Sequence, residues 1–406
     1  MARTVQDVAA RARRAQRGGA LAAALGVTRV ARVTGLDRTG VEVACAVRPG
    51  GHVLQVTNGK GESWATAARG ALLEAAELWC SERVEAGDLV WACAAELVAN
   101  GARHVAPMEL GGEAGAGQQL AWRAARDLSS GADVLVPAGS VHAPPHGGPL
   151  LGAAGLRWTS NGMGAHATWP SALLHALLEA VERDQVARAL PDGFTERHVR
   201  ARRLSPAVLA RAAPAAARLA ACIASRGFEV HLLDARPEPA LGLPVAAALL
   251  FDREGGPVPL TAGYACALEF DCALRGALLE AAQSRLTDIH GAREDVAPMA
   301  ERDVARLRRA CGRAAGGGVR PRSGGPDGGR SVGGVGSSGR APERAKSESD
   351  AGAGIDPGRG VTRVVRLLRR AGYHRILALD LAPASLGVRV AKVIVPGLLV
   401  SDLLQA

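Results

Sequence analysis

Aromatic residues make up only 3% of this 406-residue chain, and lysine occurs just three times, at Lys60, Lys346 and Lys392. A core with so few rings must be built from Ala, Leu and Val, which suits close-packed helices on a sheet better than an aromatic-rich sandwich. No apolar run approaches the roughly 20 residues that cross a bilayer. The opening MARTVQDVAARARR has no charged-then-apolar leader with a small-residue cleavage site, so a cytoplasmic protein is expected. No G-x-x-x-x-G-K-[ST] phosphate loop is present, and TNGKGES lacks its spacing. The seven cysteines (Cys45, Cys80, Cys93, Cys222, Cys266, Cys272 and Cys311) include no C-x-x-C pair and mostly sit among Ala, Leu and Val. They read as buried reduced thiols, not a metal or redox centre. His142 and His146 have i, i+4 spacing in VHAPPH, but the prolines deny them a helix and assign them to a loop.

The formal charge is +10, carried almost wholly by arginine. Two local clusters, Arg197 to Arg203 and Arg363 to Arg370, are not interleaved with aromatics, which argues against nucleic acid as a partner. An acidic or nucleotide-bearing partner remains compatible with this balance. Residues 315–360 are rich in Gly, Ser, Pro and Arg without apolar periodicity, and a segment of that kind cannot offset its ordering entropy. Four parts follow: an N-terminal helical extension (1–24), a main body (25–314), a disordered insert (315–360) and a C-terminal completion (361–406). In the last, VTRVVRLLRRAG reads as a basic amphipathic helix, while RILALDL and VRVAKVIV read as buried strands returning to the main sheet.

The informative feature is an internal repeat. GALLEAAE (70–77), HALLEAVE (175–182) and GALLEAAQ (276–283) align on Glu74, Glu179 and Glu280, spaced 105 and 101 residues apart. Ten residues before each glutamate stands an aromatic (Trp64, Trp169, Phe270), and seven before stands an alanine (Ala67, Ala172, Ala273). Each copy follows a strand-like run with a glycine-containing turn: HVLQVTNGKG, LRWTSNGMG and VPLTAGY. The common unit is strand, tight turn, long helix, and the fold class is α/β.

Each repeat places polar residues at i and i+3 of an Ala/Leu helix: Glu74 with Glu77, Glu179 with Glu182, and Glu280 with Gln283. That spacing brings each pair to one face. On one helix the pattern is ordinarily a solvated stripe, but three related helices in one domain can bring equivalent faces to one site. Gathered carboxylates repel one another and raise their own pKa values. A hard divalent cation relieves this, and magnesium is held by a few carboxylates together with substrate phosphates. The constellation points to a Mg-nucleotide site lined by helices.

At these residues the chain resembles the YcaO family. The matching pieces are TNGKG (57–61) with its helix, SNGMG (160–164) leading to LLEAVERD (177–184), and ALLEAAQSR (277–285) leading to GARED (291–295). A terminal Asp380-Leu381 followed by Pro396 to Leu398 also fits. The resemblance implies a YcaO-type fold with repeated strand-turn-helix units around a helix-lined nucleotide site, and ATP and Mg2+ as cofactors. The implied reaction adds a nucleophile to a peptide amide carbon, transfers the γ-phosphoryl group to the resulting oxyanion, and expels phosphate. A side-chain nucleophile gives an azoline, an external sulfide a thioamide, and an amine an amidine.

Carried over by position, Glu74, Glu77, Glu179 and Glu182 resemble the family's magnesium ligands. Arg183 resembles its nucleotide-phosphate contact, and Gln283 and Arg285 resemble the polar contribution of its third motif. Lys60 joins them as a compact ammonium in a chain whose default cation is arginine. No catalytic side chain is singled out. The chain departs from the family at Gly70 (commonly serine), Leu78 (usually arginine), Ala167 (asparagine) and Ser171 (glutamate). Two classes of function stay open: an ATP-dependent peptide-modifying enzyme, or a catalytically degenerate member that binds peptide or nucleotide for another subunit. Azoline-forming members often end in a proline-rich tail, whereas this chain ends VPGLLVSDLLQA, and the VTGLDRTGVEVACAVRP stretch (33–49) resembles members that work with a trifolitoxin-processing-like partner, so thioamide formation is expected ahead of azoline formation. A ribosomally made precursor peptide is the expected substrate; a leader-binding partner or a homodimer is compatible.

Overall fold

A computed structural model describes residues 18–146, 150–291, 301–312 and 355–399. Among the described residues, twelve strands fall into three sheets. β1 (Arg29–Arg32), β2 (Glu42–Val47) and β3 (Val56–Gly61) form a small one in the order β1-β2-β3. β4 (Val90–Ala92), β5 (Leu120–Asp127), β6 (Asp133–Pro137) and β7 (Met163–His166) belong to a second. β8 (Phe228–Asp234), β9 (Val245–Asp252) and β10 (Leu260–Cys266) make the third, in the order β10-β9-β8. β11 (Leu377–Asp380) and β12 (Arg389–Ile394) enter the second sheet between β5 and β7, giving β4-β5-β11-β12-β7 with β6 on β5. The C-terminal strands therefore do return to the largest sheet, at its middle. Every pairing between these strands is antiparallel.

Period-two alternation explains how one strand serves two cores. β9 is buried along its whole length. Val245, Ala247, Leu249 and Phe251 face one apolar cluster, while Ala246, Ala248 and Leu250 face another. The first cluster also takes in Val304, Leu307, Val364, Ala391 and Val393, so the C-terminal piece shares its core with the main body.

The three repeat helices span Trp64–Glu82, Trp169–Ala189 and Phe270–His290. Ser63 caps the first by accepting the Thr66 N–H, and Gly291, at φ 68°, terminates the third. The second and third bury residues around most of their circumference, so their acids are not an outward solvated stripe.

Several expectations need correction. The repeat glycines Gly59, Gly164 and Gly263 lie inside β3, β7 and β10, not in turns. A Cβ at these positions would come within 2.0 Å of Ala67 O, 2.5 Å of Ala172 O and 2.2 Å of Ala281 N. Each glycine lets a helix backbone lie directly on an edge strand. The helix Pro357–Arg370 starts before residue 360, with Asp356 capping it through the Arg359 N–H, so the insert ends earlier than its composition suggests. The N-terminal segment 18–25 is helical, and its Leu21 packs against the cluster of Leu25, Ala75, Ala76 and Cys80, so the extension's helix joins the main body. Residues 1–17, most of the expected insert and residues 400–406 lie outside the described residues. No helix among the described residues is long and apolar enough to cross a membrane.

Candidate metal and nucleotide site

β3, β7 and β10 each stand at the end of their sheet. An edge strand leaves alternate N–H groups without a ladder partner, and a buried one must find another acceptor. Glutamates supply it here. Glu74 accepts the Asn58 N–H at 2.9 Å, and Glu280 accepts the Tyr264 N–H at 3.3 Å. Glu179 also accepts from the Met163 N–H, which it shares with the Ser160 carbonyl at 3.0 Å. The donor stands sixteen residues before the acceptor in each repeat (Asn58 to Glu74, Met163 to Glu179, Tyr264 to Glu280).

The second acids reach across to the next repeat. Glu77 accepts the Ala165 N–H of β7 at 2.6 Å, and Glu182 accepts the Cys266 N–H of β10 at 3.0 Å. Helix one thus buttons onto strand two, and helix two onto strand three. The third helix carries half-buried Gln283 in that register, and its link to β3 includes an ion pair between Lys60 Nζ and Glu280 at 3.0 Å. The three repeats close a ring with two acidic junctions and one that carries Lys60.

Burial and mutual repulsion act on these acids together. Burial pushes Glu77 well above the usual carboxylate range, with Glu179 and Glu74 adding to the shift. Burial also raises Glu179, against the pull of Arg183 and Lys392. Glu182 is pushed up to about 7 by burial, with Glu280 and Glu179 adding and Arg183 opposing. Burial opposes the ionisation of Glu280 too, but Lys60 and Arg183 overcome it and hold that carboxyl below its ordinary value. Arg183 lies 3.6 Å from Glu182 and 4.0 Å from Glu179. Lys392 donates to the carbonyls of Thr159 at 2.8 Å and Asn161 at 2.7 Å, and burial pulls it down to about 8 against Glu179 and Glu77.

This donor set is all oxygen and over-supplied with carboxylate, the chemistry of a hard divalent cation. Among the described residues no three acids, histidines or cysteines already stand close enough to hold an ion. Mg2+ needs only one or two protein carboxylates when phosphates and water complete its shell, so the set fits it in company with a nucleotide.

Lys60, Glu74, Glu77, Glu179, Glu182 and Arg183 are thus brought into one interacting group. Arg285 is not. It is 2% exposed and pairs with Asp37 at 3.0 Å and Asp252 at 2.7 Å, donates to the Val258 carbonyl and lies over the Phe228 ring. Its donors serve the packing of the third helix against the β8–β10 sheet, which corrects the expectation that it meets the nucleotide. Glu280 and Lys392 belong to the site and were missed as site residues. Glu280 occupies the repeat position of Glu74 and Glu179, and Lys392 is another rare lysine, so both carried a signal.

Gly70 lies against β3, where a Cβ would stand 3.3 Å from Gly59 Cα; Leu78 is buried at 3% exposure. Ala167 is exposed, and Ser171 accepts from Thr168 Oγ1 at 2.9 Å. His142 is buried against the Ser81 carbonyl and pushed down to about 4 by burial, while His146 is exposed, so the two form no pair. All seven cysteines are free, five of them buried. A cavity of about 250 Å³ opens away from these acids, bounded by Leu25, Arg48, Trp79, Glu82 and Pro145.

Known proteins resemble this chain in sequence and in fold. The sequence profile of the YcaO cyclodehydratases, described as ATP- and Mg2+-binding, matches residues 58–399. An uncharacterized protein in the tfuA 3′ region of Rhizobium leguminosarum bv. trifolii is 31% identical over 67% of this chain and 65% of its own. One from Methanothermobacter thermautotrophicus is 29% identical over 67% of this chain and 68% of its own. The chain thus spans about two thirds of the length of these curated relatives. Among solved structures, YcaO from Methanopyrus kandleri, bound with AMPPCP and Mg2+, superposes with a TM-score of 0.65 at 20% identity, covering 95% of this chain and 90% of that one. A heterocyclase in complex with substrate and cofactor gives a TM-score of 0.64 at 19% identity, covering 92% of this chain and 50% of that one.

Proposed function

Because the chain belongs to the YcaO family, we propose that it activates backbone amides of a ribosomally made precursor peptide with ATP and Mg2+. The observation that carries this reading is the ring of glutamates from three helices, gathered with Lys60 and Arg183 and partly held back from ionisation by burial. Glu74, Glu77, Glu179 and Glu182 are the carboxylates that would hold Mg2+, with phosphate and water completing its shell. Lys60 and Arg183 meet phosphate charge, and Gln283 offers a neutral polar group at the third junction. When bound, Mg-ATP supplies the phosphoryl group that makes an amide oxygen a leaving group. The residues' contribution is to fix that group and balance its charge in a site already ordered by backbone hydrogen bonds.

Thioamide formation with a trifolitoxin-processing-like partner is the finer reading. The relative lying in a tfuA 3′ region supports it. The test is phosphate release from ATP by the protein with its precursor peptide and partner, with product mass read in parallel. A thioamide exchanges one oxygen for sulfur, whereas an azoline loses one water. Wild-type protein that releases no phosphate under these conditions sinks the enzyme reading. The degenerate accessory role would then stand, favoured by Ser171, which offers a hydroxyl tied to Thr168 where a carboxylate is usual.

A further inference from the structure

Lys392 is the one charged residue in the buried stretch Val390–Ile394 of β12. It is 3% exposed. Both of its hydrogen bonds go to neutral carbonyls, Thr159 O and Asn161 O, a task that a neutral amide could perform without burying a charge. Those carbonyls belong to the turn before β7, the strand whose Met163 and Ala165 N–H groups hold Glu179 and Glu77. β12 pairs with β7 in the register Lys392 to Met163, so strand pairing and the turn carbonyls together fix Lys392 beside the strand that holds those acids. The charges that bear on Lys392 are those of Glu179 and Glu77.

We propose that Lys392 is a positioning residue that acts as the resident counter-cation of the Glu77–Glu179 pair and competes there with the divalent cation. The proposal rests on the metal reading above. In the metal-free protein the fixed ammonium moderates the repulsion between two carboxylates that share one strand edge. When the cation binds, the same positive charge opposes it, so Lys392 sets how much Mg2+ the site requires.

The two roles of Lys392, charge and turn anchor, give opposite signs. Mg2+ is titrated at neutral pH in a fixed excess of a non-hydrolysable ATP analogue, and thermal unfolding of wild type, Lys392→Gln and Lys392→Arg is followed. Lys392→Gln should unfold at lower temperature without Mg2+, yet reach half-maximal stabilisation at about tenfold less Mg2+, because a nearby positive charge has gone. Lys392→Arg, which keeps the charge, should need Mg2+ within a few-fold of wild type. An anchor alone predicts an unchanged or larger Mg2+ requirement in Lys392→Gln, and that result overturns the proposal. If Lys392→Gln does not fold, Glu179→Gln/Lys392→Gln, which removes both charges, should recover folding; failure to do so also overturns it. Wild-type protein with no Mg2+ response overturns the metal reading itself, a result distinct from a wild-type response that Lys392→Gln leaves unaltered.

Discussion

Glu280 and Arg285 stand five residues apart on one helix, yet they belong to ionic clusters of opposite design. Around Arg285, each buried acid meets an arginine: Asp37 and Asp252 meet Arg285, and Arg38 pairs with Asp252 and with exposed Glu254. Around Glu280, five glutamates face Lys60, Arg183 and Lys392, and three of those glutamates are pushed above their ordinary ionisation range. A balanced buried cluster is complete as folded. A cluster with surplus charge of one sign calls for a counter-ion from outside.

Breaking the balanced cluster should have the largest effect on stability. Arg285→Met leaves buried aspartate charge uncompensated and should cost about 3–5 kcal/mol in denaturant unfolding. The Mg-ATP affinity of the folded fraction should stay within a few-fold, because Arg285 lies outside the acidic ring. Full stability with lost nucleotide binding would reverse the assignment of the two clusters.

Glu182→Gln tests the surplus cluster. It keeps an acceptor for the Cys266 N–H and removes one charge, so folding should survive. Peptide-dependent phosphate release should fall by roughly 10²–10³, as when a single electrostatic stabiliser is removed elsewhere. A variant with near-wild-type turnover would show that this acid is structural, like Asp252. Next in size, Mg-ATP should stabilise the wild type by about 2.7 kcal/mol at a hundredfold excess over its dissociation constant. ATP alone should do much less, since the carboxylates repel its phosphates. Equal shifts with and without Mg2+ would place the nucleotide away from the acids.

A change of pH sharpens the contrast in the metal-free protein. Glu182 has a folded value of about 7 against an ordinary 4.5. Folding therefore favours its protonated form, and the stability it contributes at low pH is lost as pH rises from about 4.5 through about 7. Without metal, Glu182→Gln should gain on wild type across that window, and Mg2+ should shrink the gap. Groups common to both proteins, such as His142, cancel in the difference. A gap that does not move with pH would mean that Glu182 is ionised at little cost.

The three long helices and their acids were legible because an Ala/Leu background made the repeated glutamates and in-register aromatics conspicuous. What sequence did not convey is decided by partners remote in the chain. Arg285 reads like a motif residue beside Gln283, but its partner Asp37 lies 248 positions away. Gly59, Gly164 and Gly263 read as turn glycines because a close helix crossing and a tight turn ask for the same residue. Lys392 sat unremarked in an apolar strand because nothing nearby in sequence names Glu77 or Glu179. That three separate sheets each offer an edge strand to one centre was equally invisible, since the reading supposed one main sheet.

The acids that close those three edges have an evolutionary consequence. A relative that gave up catalysis would still need acceptors for the buried edge N–H groups of β3, β7 and β10, or it would leave them unsatisfied beneath the helices. Selection for stability alone would therefore keep acceptor side chains at these positions, but it would be indifferent to a change from glutamate to glutamine. Selection for a cation would not be. Across a lineage, drift between the two residue types at positions 74, 77, 179 and 182 would separate lost chemistry from preserved architecture, where mere retention of a polar residue would not.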